Sequence, residues 1–415
     1  MNPAGVLAQV HADAWGRLLG GLIRSSGRPD LAEDALAEAF VQASEQWVLD
    51  GVPHNPVGWL TTVARRRLLD AQRRERRHAA PQFRAAIVAR RSPSRTDPAP
   101  GEQSDERLPL LFMATHPALA EEVRPALALR FVLGVPTDTI ARLFLVPGPT
   151  MAARLTRAKR RLAQTGIVLA VPDVSRWPER VDDVARAIYL AFTAGYAPGG
   201  DEVLRAADAG GAVRLAVLAA TLLPNQPTLG ALAALVVLQH ARRDARVADD
   251  GVPVLLADQD RARWHHDEIA EGVRRLTSLA VTTGYAEELR LQALIAAFHA
   301  TAATAAATDW AGIAQTYRRL EALTGSPIVR LNRAVAVAET AGPAAGLAVL
   351  QGIEELLPGH HRVALVRAEL LLRDGRLHEA GTAFHEAINR ASEGVERRHV
   401  ERRLAELGFV RSAQG

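Results

Sequence analysis

The stretch 135–163, VPTDTIARLFLVPGPTMAARLTRAKRRLA, decides the fold of the middle of this chain. Gly134 is expected to end the preceding helix, and Thr137 is expected to N-cap the next one. A Pro-Gly-Pro turn follows, and Pro149 suits the first position of a second helix. The buried side of that second helix is predicted from apolar residues at helical spacing: Met151, Leu155, Ala158 and Leu162. Two helices joined by a tight turn predict a helix-turn-helix.

The exposed side of the second helix carries small and basic residues. They are Thr150, Ala153, Arg154 and Arg157, followed by Lys159, Arg160 and Arg161. Arginine can bind guanine through two hydrogen bonds, phosphates attract both basic residue types, and small residues allow close approach to a groove. The segment therefore predicts DNA binding, and an ordinary helical hairpin with a charged face remains the alternative.

The composition favours an all-α protein of two or three domains. The chain has 415 residues, 48% of them hydrophobic and only 5% aromatic, and residues that favour strands rarely alternate. It has no cysteine, which excludes disulfides and thiolate chemistry and fits a reducing cytosol. We find no signal peptide and no apolar run long enough to span a bilayer, so we expect a cytoplasmic protein without a membrane partner.

The N-terminal part predicts two amphipathic helices around a loop. LAEDALAEAFVQASEQW (31–47) has apolar residues at helical spacing and a parallel polar stripe of Asp34, Glu38 and Gln42. DGVPHNP (50–56) interrupts the helix, and VGWLTTVARRRLLDAQRRERR (57–77) is rich in arginine. Such a block of positive charge indicates a polyanionic partner, or else a solvated face in an arginine-rich chain that contains one lysine.

The rest of the chain divides by composition. Residues 81–107 are rich in Pro, Ser and charge and predict a flexible linker. Residues 168–415 consist mostly of Ala-rich helical segments, with Ala311, Ala345 and Ala380 recurring at roughly 34-residue intervals, as in tetratricopeptide (TPR) repeats. The last copy is the clearest, with Gly375 at the turn between its helices, and we interpret this tail as TPR-like.

The order of these segments resembles the extracytoplasmic-function (ECF) sigma factors of bacterial RNA polymerase. Residues 31–47 and 55–74 are similar to region 2, and residues 115–162 are similar to region 4. The tail is similar to a subgroup with a large C-terminal TPR-like extension. The resemblance implies a region 2 domain (1–80), the linker (81–107), a region 4 helix-turn-helix domain (108–167) and a TPR-like domain (168–415).

The resemblance also implies roles for individual residues. Asp34, Glu38 and Gln42 would bind core RNA polymerase. The −10 promoter DNA would contact Trp59, Arg65, Arg66, Arg73, Arg74 and Arg77. The −35 promoter DNA would contact Thr150, Ala153, Arg154, Arg157, Lys159, Arg160 and Arg161. A regulatory protein would bind the C-terminal domain, and no cofactor is implied.

We expect no enzymatic activity. His265 and His266 beside Asp267 and Glu268 make a poor metal site, because neighbouring residues on a helix point in different directions, and a solvated face is favoured instead. No catalytic residues and no metal ligands are predicted. Two other functions stay open: a helix-turn-helix activator with a helical sensor or protein-interaction domain, and a helical-repeat scaffold. The activator would bind its operator without polymerase, and the scaffold would not bind DNA.

Overall fold

The computed structural model describes residues 3–78, 107–165, 172–196, 206–247, 254–391 and 395–406. Every regular element in these ranges is helical, which confirms the all-α prediction. The chain forms two compact units, Met1–Ala194 and Gly195–Gly415. Most of the predicted linker (81–107) lies outside the described residues. None of the described helices is long and apolar enough to cross a bilayer.

The first unit begins with three long helices, α1 (Pro3–Ser26), α2 (Pro29–Asp50) and α3 (Pro56–His78). A proline opens each helix, where its missing N–H would have had no partner. The loop between α2 and α3 is closed by Asn55, whose Oδ1 accepts a hydrogen bond from the Gly58 N–H at 2.9 Å. Leu36, Trp47 and Leu60 are buried between the helices. The amphipathic patterns of α2 and α3 thus form one shared core.

The unit continues with α4 (Arg107–Ala114), α5 (Arg124–Leu127), which runs on as a π-helical turn (Ala128–Val132), α6 (Thr137–Leu143) and α7 (Gly148–Thr165). Gly134 has a φ of 69° and ends the preceding helix, as predicted. The N-cap prediction for Thr137 was wrong. Pro136 occupies that position in an extended conformation, makes no side-chain cap, and leads directly into α6 with Thr137 as its first residue.

The two halves of this unit pack against each other. At Gly16 of α1, an added Cβ would lie 2.5 Å from the Val132 carbonyl oxygen, so only glycine permits this approach. Glu33 of α2 is buried and lies 3.5 Å from the guanidinium of Arg130. The helices on either side of the predicted linker therefore belong to one compact unit.

A segment after α7 folds back onto α4. It forms a 3-10 helix (Val174–Arg180) that leads into α8 (Val181–Tyr196). The Trp177 ring stacks on Phe112 with centroids 4.3 Å apart. Arg124 forms an ion pair with Asp183 at 2.8 Å. These contacts make residues 174–183 part of the packing around α4.

The second unit is a succession of helices. They are α9 (Ala206–Leu222), α10 (Pro227–His240), α11 (His266–Thr277), α12 (Gly284–Thr301), α13 (Trp310–Thr324), α14 (Pro327–Ala341), α15 (Pro343–Val349), α16 (Ile353–Leu356), α17 (His361–Arg373), α18 (Leu377–Arg390) and α19 (Val395–Glu406). Short 3-10 helices lie between α10 and α11 at Arg243–Ala245, Leu256–Asp258 and Arg261–Arg263.

Small residues set the spacing of these helices, as the sequence indicated. Gly375, with a φ of 78°, turns the chain between α17 and α18. Ala380, Phe384 and Ala387 of α18 are buried in one cluster. At Gly346 of α15, a Cβ would lie 2.8 Å from the carbonyl oxygen of a residue in α14, so the helices approach closely. The TPR-like assignment itself stays a prediction.

Candidate nucleic-acid interface

The solvent-facing side of α3 is strongly basic. Arg65, Arg66, Arg73 and Arg74 are exposed, whereas the side chain of Arg77 lies outside the described residues. Asp70 lies 3.6 Å from Arg73 in an exposed pair, which solvent screens. The burial of Leu60, Ala64 and Leu68 on the opposite side fixes this orientation. The helix therefore presents several guanidinium groups to solvent on one side.

Trp59 lies at the start of this basic helix and is partly buried. Its ring meets that of Trp47 edge to face, with centroids 5.6 Å apart. The Asn55 cap holds the loop immediately before it. The structure thus gives Trp59 a packing role next to this loop.

The polar stripe of α2 is only partly directed at solvent. Asp34 and Glu38 are exposed, and Gln42 is partly buried. Arg67 of α3 lies 3.3 Å from Glu38 and donates a hydrogen bond to the Gln42 Oε1 at 3.1 Å. Two members of the predicted surface are therefore bound to the neighbouring helix. Their groups remain near solvent, so an incoming partner competes with Arg67 for them.

Sequence reasoning missed an apolar surface beside this stripe. Val41, Val48 and Leu49 of α2 are exposed, and Leu49 is 84% exposed. Large apolar side chains clustered on one exposed helix commonly mark a protein interface. The sequence did contain a sign of this surface, because these three residues lie outside the helically spaced Ala and Leu residues that form the buried side of α2.

The helices α6 and α7 form the predicted helix-turn-helix. Ile140 and Ala141 of α6 and Met151, Leu155 and Ala158 of α7 are buried. The opposite side of α7 exposes Thr150, Ala153, Arg157, Arg160 and Arg161, while Arg154 is partly buried. The side chains of Lys159 and Leu162 lie outside the described residues. The structure therefore brings the small and basic residues together on one side of a single helix.

The turn between these helices contains a strained residue that the sequence did not reveal. Leu145 has a φ of 52° and is the one non-glycine residue of the described chain with a positive φ. Its side chain is 89% exposed, so packing does not compensate for the strain.

The histidine pairs do not form a metal site. No group of metal-binding side chains occurs among the described residues. His266 and Asp267 are exposed, whereas His265 and Glu268 are partly buried and take part in a polar network. Arg243 bonds both carboxylate oxygens of Glu268 at 2.8 Å, and the His265 Nε2 lies 2.8 Å from Asp244.

Two family models match separate parts of the chain. Residues 13–78, which contain most of α1 and all of α2 and α3, match the model of sigma-70 region 2. The chain therefore contains a sigma-70 region 2. An uncharacterized protein of Rhizobium meliloti (strain 1021) is 38% identical over 411 residues, covering 98% of this chain and 97% of that protein. Residues 180–280 match a family of unknown function, DUF6596. No solved structure matches the chain significantly.

The match to sigma-70 region 2 assigns a general role to α2 and α3. Region 2 of sigma-70 proteins binds core RNA polymerase and promoter DNA. The matched range contains both the α2 surface and the arginines of α3. The helix-turn-helix falls between the two matched ranges, so its assignment depends on its own geometry. The DUF6596 match begins at Arg180, within the segment that packs on α4.

Proposed function

We propose that this protein belongs to the sigma-70 family and is a sigma factor of the ECF type. It acts in the cytoplasm as a dissociable subunit of RNA polymerase, directs core enzyme to the −10 and −35 promoter elements, and carries out no covalent chemistry of its own. The observation that carries the proposal is that the arginine face of α3 lies within the matched region 2, while a separate helix-turn-helix follows in the same chain.

The two basic helices have different expected tasks. On α3, Arg65, Arg66, Arg73 and Arg74, together with Arg77, contact phosphates near the −10 element, and Trp59 borders the same loop. Phosphate contacts give affinity that falls steeply with salt but does not depend on sequence. On α7, Arg154 and Arg157 read bases of the −35 element beside Thr150 and Ala153, and Lys159, Arg160 and Arg161 contact phosphates.

Core polymerase binds the exposed side of α2. Asp34, Glu38 and Gln42 supply polar and acidic groups, and the neighbouring Val48 and Leu49 supply apolar contact area. Interfaces of this kind combine a desolvated apolar centre with a polar rim. The apolar residues explain how a short acidic stripe, partly bound by Arg67, can hold a large partner.

The C-terminal unit modulates this activity. Its successive helices are TPR-like in our interpretation, and stacked helix pairs form extended surfaces that commonly bind proteins. We expect a regulatory protein, or another surface of the transcription complex, to bind there. The unknown function of DUF6596 would then be the control of a sigma factor.

Transcription in vitro with purified core polymerase tests the proposal. The full-length protein should direct initiation from a matched promoter and should bind that promoter tightly only together with core. A helix-turn-helix activator would bind its operator without polymerase, and a scaffold would show no salt-dependent DNA binding at all. Tight, specific DNA binding by the isolated chain with no core-dependent initiation would reject the sigma assignment.

A further inference from the structure

Arg67 of α3 is bound to the polar stripe of α2. Its Nη1 lies 3.3 Å from the Glu38 Oε2, and its Nη2 donates a hydrogen bond to the Gln42 Oε1 at 3.1 Å. Glu38 and Gln42 lie one helical turn apart, so the guanidinium bridges two successive positions of the stripe. The Arg67 side chain is 45% exposed and that of Glu38 is 52% exposed. This is therefore a surface contact that water and a binding partner can reach.

Arg67 differs in this respect from other arginines of α3. Arg65, Arg66 and Arg74 are exposed, and no side chain of α2 among the described residues bonds them. Arg67 and Arg74 are seven residues apart, which is two helical turns, so they lie on the same side of α3. A freed Arg67 would therefore extend the basic side of α3 by one charge.

The contacts of Arg67 are weak enough to be exchanged. An exposed ion pair shifts an equilibrium by no more than about fivefold, because both groups are well solvated and lose freedom when they meet. Under the proposed function, core polymerase binds the polar stripe of α2 while promoter DNA contacts α3. A basic group of core that binds Glu38 competes with Arg67 for the same carboxylate and repels its positive charge. Core binding therefore favours release of Arg67.

We propose that Arg67 is a switch residue that couples core binding on α2 to DNA binding on α3, an inference that rests on the proposed function above. In the free protein, Arg67 is bound to Glu38 and Gln42. When core occupies the stripe, Arg67 is released and contacts a phosphate of the DNA. Each partner thus removes a competitor of the other, and linkage requires that both affinities rise by the same factor. A phosphate contact adds affinity without adding sequence preference.

The first test needs no polymerase and measures binding of the full-length protein to a random-sequence DNA duplex over a range of salt concentrations. The variant Glu38→Ala/Gln42→Ala removes both acceptors of Arg67. The matched control Glu45→Ala/Gln46→Ala removes one acid and one amide of α2 that do not bond Arg67. The variant should bind the duplex roughly two- to fivefold more tightly than the control, with a salt slope steeper by about 0.9 for one added phosphate contact. Adding Arg67→Ala to the variant should abolish this gain.

The second test measures binding of the full-length protein to core RNA polymerase without DNA. Arg67→Ala leaves Glu38 and Gln42 free for the partner, so core should bind this variant roughly two- to fivefold more tightly than it binds Arg17→Ala. Arg17 is exposed on α1, so this control loses the same charge from a different helix. A residue with a purely structural role would not strengthen binding when it is removed. Thermal unfolding checks that each variant is folded, and Arg67→Gln replaces Arg67→Ala if that variant does not fold.

Equal DNA binding by Glu38→Ala/Gln42→Ala and its control overturns the inference, because Arg67 is then not restrained in the free protein. Where the wild type binds core, equal core binding by Arg67→Ala and Arg17→Ala overturns the inference alone and leaves the proposed function intact. A wild-type protein that does not bind core at all overturns the proposed function and this inference together.

Discussion

The guanidinium of Arg180 donates a hydrogen bond from Nη1 to the Phe112 carbonyl at 2.6 Å, and Arg180 is only 3% exposed. This bond joins the first residue of the DUF6596 match to the helix α4 that precedes the helix-turn-helix. Trp177 stacks on the Phe112 ring beside it. A chain cut after Ile167 would lose both contacts and expose the α4 core, whereas a chain that keeps α8 would retain them.

Arg180→Met should therefore destabilise the first unit. The change leaves the buried Phe112 carbonyl without this donor, which costs about 1–3 kcal/mol of unfolding free energy. Denaturant unfolding of the full-length protein measures this loss of stability. The matched control is Arg186→Met, which makes the same substitution on the exposed side of α8. Equal stability of the two variants would show that the bond contributes nothing.

Leu145→Gly should leave the turn of the helix-turn-helix as stable as before or slightly more stable. A left-handed conformation costs a leucine roughly 1–2 kcal/mol, and glycine offsets part of this gain by its freedom in the unfolded chain. Because Leu145 is exposed, little packing is lost. We expect an unchanged to slightly higher melting temperature, by a few degrees at most, and a lower one for Leu145→Ile. If the isoleucine variant is as stable as the glycine variant, φ at this residue is not strained.

Charge reversal at Asp34 and Glu38 should weaken binding to core polymerase without unfolding α2. Both residues are exposed, and the Glu38–Arg67 pair contributes at most about 1 kcal/mol to stability. Pull-down of core by the double variant measures the effect, with reversal of the exposed Glu121 and Glu122 as the control. A Leu49→Asp variant should show the same loss if the apolar residues belong to the interface. Wild-type recovery of core by the Asp34 and Glu38 variant would remove the α2 assignment.

Arg157→Ala should relax the choice of base at one −35 position. A bidentate contact to guanine is worth about 1–3 kcal/mol against the wrong base. Arg157 is exposed at the centre of the α7 face, whereas Arg154 is partly buried and is expected to have a smaller effect. Binding of core plus variant to a set of promoters, each altered at one base, measures this. Equal weakening on every promoter would instead indicate a phosphate contact.

Stability should fall as pH drops from about 6.5 towards 4. Burial and then two arginines lower the pKa of His299 from 6.5 to about 4, so the unfolded chain takes up a proton in this window before the folded one does. The contribution of neutral, buried His299 to stability is complete above pH 6.5 and is lost as the pH approaches 4. His299→Gln should flatten this slope in denaturant unfolding. Burial also lowers the pKa of His240 to about 4, so a smaller slope should remain in the His299→Gln variant. An unchanged slope in the variant would show that His299 does not titrate in this way.

The local elements of this protein follow from its sequence. Proline at helix starts, glycine at helix ends and apolar residues at helical spacing give α2, α3, α6 and α7. The exposed basic sides of α3 and α7 follow from the same periodicity, because burial of one side leaves the other to solvent. Helix formation and helix capping depend on residues that are close together in the chain, so the spacing of residue types in the sequence predicts them.

Contacts between distant segments depended on the tertiary structure. Nothing in the spacing of Phe112 and Arg180 indicates that one binds the other. The sequence likewise gives no sign that Glu33 is buried beside Arg130. Such pairs form because helix packing brings their surfaces together and excludes water between them. The sequence alone therefore determined which helices form and which sides are apolar, while the packing of those sides decided which charges and rings meet.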